Sequence, residues 1–475
     1  MNVTDPLRAF ARERPSAHAV LRVRGAPLSW RELDALVDAV ARRCLDDGIA
    51  PGDVVHVAIQ RPFRTLVLSL ALARLGAAAA AATLPWRVAK HAYVDQPGVA
   101  DAHPDARVVE ARWFEPPSSP PDPVPAHADP RAIAIVCPSS GTTGIPKAIP
   151  VSHAQLAARI AAANAGVPLP AEPRQICAPT PASGYGFLSM LRVLHAGGTI
   201  VVATTPEEIV ALATSKRVNR LVLMPFWIDQ LATALPRGTR LSVGDVEVGG
   251  AFLPAPLLRI ARERLGERIH SVYGATEAGC IAMAGFDTLD SERGEVGRVL
   301  PGIEVEAFDD HGRALPRGEE GELRLRGPMC ADRYLDDARA TAEGFRDGWL
   351  VTPDLGRVAP DGTLAIVGRR GELINLGGYR VRPSAVEEAL LSIDAIEDAG
   401  AFGAPDASGA TRLCAAVVVR GPLDAASLEA LVLARLGAGA PTFVMRVGAV
   451  PRNAGGKIMR DTLAAMAREA GLGSG

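Results

Sequence analysis

Between Pro138 and Pro150 the chain reads PSSGTTGIPKAIP, with two serines, two threonines and two glycines ahead of one lysine. Gly141 and Gly144 permit positive φ and close backbone approach. Ser139, Ser140, Thr142 and Thr143 offer hydroxyls beside exposed N–H groups, so the stretch can wrap an anion while Lys147 supplies opposite charge. Phosphate is the natural guest. The Walker A pattern is not met, because the glycine spacing differs and Ala148 follows the lysine, and no G-x-G-x-x-G fingerprint occurs. A lone run of this composition is as readily a surface loop. Two neighbours favour the anion reading: the apolar run AIAIVC before it, which reads as a strand, and the segment AQLAARIAAANAG after it, which reads as a helix capped by Ser152.

The full string SSGTTGIPK resembles the phosphate-binding signature of the adenylate-forming superfamily, which includes acyl-CoA synthetases, stand-alone adenylation domains and luciferases. Five further segments resemble that family's motifs in the same order. VGGAFL is similar to the segment whose backbone borders adenine, which implicates Gly249, Gly250 and Ala251. YGATEAG resembles the next signature. The likeness implies that the ring of Tyr273 stacks on adenine beside Gly274, that Thr276 contacts phosphate, and that Glu277 helps hold Mg²⁺. DGWLVTPDLGRV resembles the ribose segment, so Asp354 matches the aspartate that accepts from the ribose hydroxyls, with Pro353 where glycine is usual.

GRRGELINLGGYRVRPSAVEEAL resembles the hinge and the start of a mobile C-terminal domain. Arg369 matches a ribose-binding arginine, Gly377 and Gly378 a glycine pair lining the path of a thiol, and Gly371 the pivot, where relatives carry aspartate or lysine. PRNAGGKIMR resembles the last signature, in which Lys457 reaches back to the carboxylate and the α-phosphate.

The resemblance implies two steps: a carboxylate attacks the α-phosphate of ATP to give an acyl-AMP and pyrophosphate, then a thiol takes the acyl group. The cofactors implied are ATP, Mg²⁺ and coenzyme A or the phosphopantetheine of a carrier protein. The acid pocket of relatives lies near Tyr185, Gly186, Phe226, Gly250 and Ala278, where Tyr185, Phe226 and Tyr273 can form an aromatic slot and Gly186, Gly250 and Ala251 give it room. No Asp or Glu occurs from Pro173 through Pro206, where amino-acid-activating relatives place an aspartate, so an uncharged tail is favoured. The aromatic residues favour an aryl or compact acyl acid over a long-chain one. Three readings stay open: an acyl- or aryl-CoA ligase, an enzyme loading a carrier protein, and a non-catalytic ATP-binding relative. Retention of Lys147, Glu277, Asp354, Arg369 and Lys457 argues against the third.

The elements that must position these residues follow from the wider pattern. A chain of 475 residues exceeds one ordinary core. The 51 basic and 53 acidic residues are interspersed, which argues against nucleic acid or an anionic membrane as the main partner. Six scattered cysteines form no C-x-x-C pair, so neither zinc nor a disulfide framework is suggested, and the cytoplasm is the expected compartment. The run LVLSLALARLGAAAAAATLPW reads as a buried helix entering a strand rather than a membrane span. EPPSSPPDPVPAHADP reads as an exposed connector.

Apolar runs such as GTIVVA and RLVLMP alternate with helical segments such as APLLRIARERLG, which predicts parallel α/β layers. After Gly294 short strands and Gly/Asp turns predict a β subdomain. The expected fold is therefore α/β: a large N-terminal region over 1–370 that binds nucleotide and acid, then a small mobile α+β domain over 371–475 carrying Lys457.

Overall fold

A computed structural model describes the protein over residues 1–475 except Arg24, 97–104, 140–145, Lys216, Phe252, Pro254, 286–293, 377–378, 407–409, 454–456 and 473–475. The proposed loop residues Ser140, Gly141, Thr142, Thr143 and Gly144, and the pair Gly377 and Gly378, lie outside the described residues.

The alanine-rich run behaves as its composition demands. Pro62–Leu75 is a helix buried on almost every face, as expected of a helix that is apolar all round. Gly76 stops it in the left-handed conformation at φ +77°, and Ala78–Ala81 continues as a buried strand. Among the described residues no helix is long and apolar enough to cross a membrane. That strand lies inside a six-stranded sheet in the order Ala106–Val108, His91–Val94, Val54–Ala58, Ala78–Ala81, Ile133–Pro138, Ala148–Ser152. All pairs are parallel except the last.

A second, 14-stranded sheet carries the rest of the large region. Its parallel part orders the strands His18–Arg22, Thr199–Val202, Arg174–Cys177, Arg220–Leu223, Asp245–Gly249 and Arg268–Ala275. Gly279–Gly285 then doubles back antiparallel on Arg268–Ala275 and offers its other edge to Glu295–Val299. Thr363–Arg369, Trp349–Val358, Gly321–Arg326 and Glu304–Phe308 extend this antiparallel wing. The β subdomain expected after Gly294 is thus hydrogen-bonded into the same sheet.

Residues 374–472 build their own cores. Ile396–Pro405, Thr411–Val419 and Phe443–Arg446 form a three-stranded sheet. The helices Pro383–Leu391 and Ala425–Leu436 pack with one apolar cluster around Leu390 and Val417, and Arg460–Glu469 packs with another around Phe402 and Leu463.

The proline-rich connector forms neither helix nor strand, and it is mostly exposed, but Val124 is buried and pins it to the N-terminal helices. Arg8 donates to the Val124 carbonyl, and the Val124 amide donates to Asp38. All six cysteines are free thiols, and five of them are buried.

Candidate active site

Ile133–Pro138 and Ala148–Ser152 pair antiparallel, with Pro138 opposite Ala148. The glycine-rich stretch therefore spans a β-hairpin, and a strand separates it from the helix His153–Gly166. That corrects the strand–loop–helix expectation: the buried Ile149 and Val151 favour a strand, and the helix begins only where Ser152 and Gln155 form a reciprocal capping box. The neck of the hairpin is closed twice. The Ser139 amide donates to the Lys147 carbonyl at 2.8 Å, and the Lys147 amide donates to the Ser139 hydroxyl at 2.9 Å.

The Lys147 ammonium lies 4.8 Å from the ring centroid of Tyr334. The Tyr334 hydroxyl donates to Glu277 Oε1 at 3.0 Å. Glu277 itself sits in the turn between Arg268–Ala275 and Gly279–Gly285, beside Thr276 and Ala278. Arg159, buried on the helix after the hairpin, holds that turn by donating to the carbonyls of Thr276 at 3.2 Å and Glu277 at 2.7 Å, and to Met329 at 2.9 Å. Burial pulls the Arg159 guanidinium below its ordinary value. Gly279 completes the turn at φ +75°, with its missing side chain 2.9 Å from the Arg159 stem. Neither Arg159 nor Tyr334 was singled out from sequence. The available signals were an arginine sharing a helical face with Leu156 and Ile160, and an aromatic ring set in the charged run ADRYLDD.

On the other side of the turn, Tyr273, Asp354 and Arg369 form one cluster. Asp354 and Arg369 face each other directly across neighbouring strands. Arg369 Nε donates to Asp354 Oδ1 at 2.7 Å, and the Tyr273 hydroxyl donates to Asp354 Oδ2 at 2.5 Å. Burial, then the charge of Asp354, pushes the Tyr273 phenol well above its ordinary value, so it stays a donor. Each Asp354 oxygen keeps acceptor capacity after these bonds, so a pair of ribose hydroxyls fits as further donors.

Lys457, half-buried, is held by a turn in which its amide donates to Asn453 Oδ1 at 3.0 Å. Burial first, then the positive charge of Arg369, lowers its ammonium to about 8, while Glu372, Asp354 and Glu277 pull the other way. The C-terminal lysine and the carboxylates of the sheet therefore share one electrostatic neighbourhood.

Among the described residues no group of three or more His, Cys, Asp or Glu could hold a metal ion. A lone Glu277 does fit Mg²⁺, which keeps water and phosphate oxygens as most of its ligands and takes only one or two protein carboxylates.

The acid-pocket candidates divide. The Tyr185 hydroxyl donates to Glu247 Oε1 at 3.0 Å and lies 2.9 Å from where a side chain on Gly249 would begin, so the tyrosine closes over the glycine pair. Gly250 follows at φ +88°, where a side chain would begin 3.5 Å from Met224 Cγ, and Ala251 is half-buried beside it. Gly186, expected to give the pocket room, is instead buried against the backbone of Pro179 and Thr180, where a side chain would begin 2.1 Å from the Thr180 carbonyl. Its small size serves the start of the helix Gly184–His195. Gly184, at the N-terminus of that helix, is the one that faces the turn, abutting Cys137 and Thr276. Gly274 permits the close approach of the opposing strand at the Gly279 carbonyl. Phe226 makes its ring contact with Trp227 at 5.6 Å, and Ala278 is fully buried.

Glu247 is the unforeseen charge beneath this pocket. Fully buried, it accepts from Arg192 at 3.0 Å and from Arg220, both also buried, and Arg220 in turn donates to Gln175 at 2.9 Å. Burial raises the Glu247 carboxyl, and the two arginines outweigh that and leave it net below its ordinary value. A cavity of about 420 Å³ bordered by Val167, Leu169, Asp245, Arg268 and His270 lies elsewhere. Asp245 and Arg268 begin the strands whose other ends carry Gly249 and Tyr273, which puts the cavity at the far pole of the sheet.

The chain is 30% identical to pseudomonine synthase PmsE of Pseudomonas entomophila, over 97% of this chain and 82% of that one. It is 29% identical to the 2-hydroxy-7-methoxy-5-methyl-1-naphthoate–CoA ligase of Streptomyces carzinostaticus, over 82% and 79%. The fold superposes on the amide bond synthetase McbA of Marinactinospora thermotolerans with a TM-score of 0.83 at 27% identity, covering 98% of this chain and 99% of that one. The AMP-binding enzyme family matches residues 87–335, and its C-terminal domain matches 385–457. The ordered motifs, the sheet that gathers Tyr273, Glu277 and Asp354, and these matches lead to one conclusion: the chain belongs to the AMP-binding enzyme family.

Proposed function

We propose that the protein is an AMP-forming acid–thiol ligase that activates an aryl or compact acyl acid with ATP and passes the acyl group to coenzyme A. The observation that carries this reading is the cluster Tyr273–Asp354–Arg369, whose charges act on Lys457 from the far end of the chain. Family membership and the aryl acid in the name of the Streptomyces carzinostaticus relative support it.

In the first step a carboxylate oxygen forms a bond to the α-phosphorus while the bond to the bridging β-oxygen breaks, and pyrophosphate leaves. In the second, a thiol sulfur attacks the carbonyl carbon, AMP leaves, and the thiol proton passes to solvent. Charge spreads over phosphoryl oxygens, so positioning and charge stabilisation do most of the catalysis. Asp354 and Arg369 orient the ribose, Lys147 and the hairpin take the β- and γ-phosphates, Thr276 contacts phosphate, and Lys457 bridges the carboxylate and the α-phosphate. Glu277 would hold Mg²⁺, which would supply charge neutralisation to the phosphates. Residues 1–370 form the nucleotide and acid domain, and 371–475 rotate about Gly371 between steps. Six unpaired thiols suit a reducing compartment, and we place the protein in the cytoplasm.

A carrier-protein phosphopantetheine presents the same terminal thiol as coenzyme A. An amine acceptor is the second reading, because the chain resembles an amide bond synthetase over almost its whole length. The test is acid-dependent release of AMP and pyrophosphate across aryl, short-chain, long-chain and amino acids, each with coenzyme A, an amine, or a phosphopantetheinylated carrier. Thioester formed with free coenzyme A and an aryl acid is expected. ADP as product, or no turnover with any acid, overturns the proposal.

A further inference from the structure

We infer that Tyr334 is a positioning residue of the phosphate site, holding the Glu277 carboxylate by its hydroxyl and the Lys147 ammonium by its ring face, so that metal-binding and phosphate-binding groups are set as one unit. The inference rests on the function proposed above. Lys147 comes from the hairpin of the six-stranded sheet, and Glu277 from a turn of the 14-stranded sheet. Tyr334 belongs to neither, and its side chain touches both: 3.0 Å from hydroxyl to Glu277 Oε1 and 4.8 Å from Lys147 Nζ to the ring centroid.

The ring is itself held firmly. It is 8% exposed. Phe345 packs on it at 5.2 Å, and the Tyr334 amide donates to the Thr341 hydroxyl at 3.0 Å. Gly344 leaves the space the ring fills, since a side chain there would begin 3.0 Å from Tyr334 Cε2. The segment is pinned at both ends. The Ala331 amide donates to the Glu277 carbonyl at 2.7 Å, and the Leu335 amide donates to the Ala148 carbonyl, next to Lys147, at 2.8 Å. A rigid strap thus joins the residue after the lysine to the backbone of the glutamate, and its tyrosine repeats the link through side chains. With one oxygen of Glu277 fixed by Tyr334, the second has no hydrogen-bond partner among the described residues and can face a cation. A cation over an aromatic face keeps its hydrogen-bond donors for an anion.

The test measures ATP binding by titration calorimetry, without turnover, with excess Mg²⁺ and with EDTA. Wild-type protein is expected to bind more tightly with Mg²⁺. Tyr334→Phe keeps the ring, so it should match wild type in EDTA and lose roughly tenfold of the Mg²⁺-dependent gain, the scale of one hydrogen bond to a charged group. Tyr334→Leu should lose affinity in EDTA as well, because Lys147 loses its platform. Tyr334→Phe added to Glu277→Gln should change nothing further. A Tyr334→Phe protein with the wild-type Mg²⁺ gain, or with losses additive to those of Glu277→Gln, overturns the inference while leaving the proposed function standing. Wild-type binding indifferent to Mg²⁺ overturns both. A merely structural role would lower the melting temperature and weaken binding equally in both buffers.

Discussion

At the scale of single residues, Lys457 sits in the electrostatic reach of Asp354, Arg369 and Glu277. Its ammonium is lowered to about 8, chiefly by burial. The cation is the form that can bridge a carboxylate and a phosphate, and it is present below that value and lost as pH rises through it. Acid-dependent ATP–pyrophosphate exchange, read as kcat/KM, should therefore fall above about pH 8. Lys457→Arg should flatten that alkaline limb, since guanidinium stays charged to about pH 12. Lys457→Ala should reduce acyl-AMP formation by about 10²–10³-fold, the range for a lost charge-stabilising donor. The same variant should make thioester from supplied acyl-AMP at close to the wild-type rate. Equal loss of both steps would overturn a role confined to the first.

At the scale of elements, the turn carrying Thr276 and Glu277 depends on a guanidinium from another helix and a glycine at positive φ. Gly279→Ala meets both an unfavourable backbone region and the Arg159 stem, so a loss of about 1–3 kcal/mol is expected in urea unfolding. Glu247→Ala strands two buried arginines beneath Tyr185 and should cost about 3–5 kcal/mol. Tyr185→Phe leaves that ion cluster intact and separates the tyrosine bond from it.

These two features also mark where reading the sequence stops. Helix and strand along the alanine-rich run were legible, because burial on all faces, a glycine stop and β-prone apolar runs are local signals. The phosphate hairpin was legible as a loop for the same reason. Its true setting, a hairpin rather than a strand–loop–helix, was hidden because five residues from Ala148 to Ser152 read equally as loop and strand. Glu247 lies 55 residues from Arg192 and 27 from Arg220, and register between distant strands decides that pairing. Gly186 was read as pocket space because glycine announces a need for room without saying on which side. Tyr334 was missed because its partners come from two different sheets.

For the whole molecule, the two-step reading requires residues 371–475 to withdraw Lys457 and return it. Gly371 is exposed, a side chain there would meet nothing within 4 Å, and its φ is outside the left-handed region. Gly371→Ala should therefore leave stability and acyl-AMP formation close to wild type. If rotation uses conformations open only to glycine, the same change should slow thioester formation from acyl-AMP in single-turnover experiments. Unchanged transfer would show that the pivot needs no glycine.

The arrangement of the cysteines has a practical consequence for following that transfer. Five of the six are buried, and burial pushes Cys44, Cys137 and Cys280 up to about 12, so the folded chain presents almost no thiolate at neutral pH. A chromogenic disulfide reagent added to a reaction should report disappearing coenzyme A against a near-silent protein background, with only the partly exposed Cys330 contributing early. Added to denatured protein, the same reagent should count all six. Global unfolding and acyl transfer can thus be told apart by one colour change, without a label attached to the enzyme.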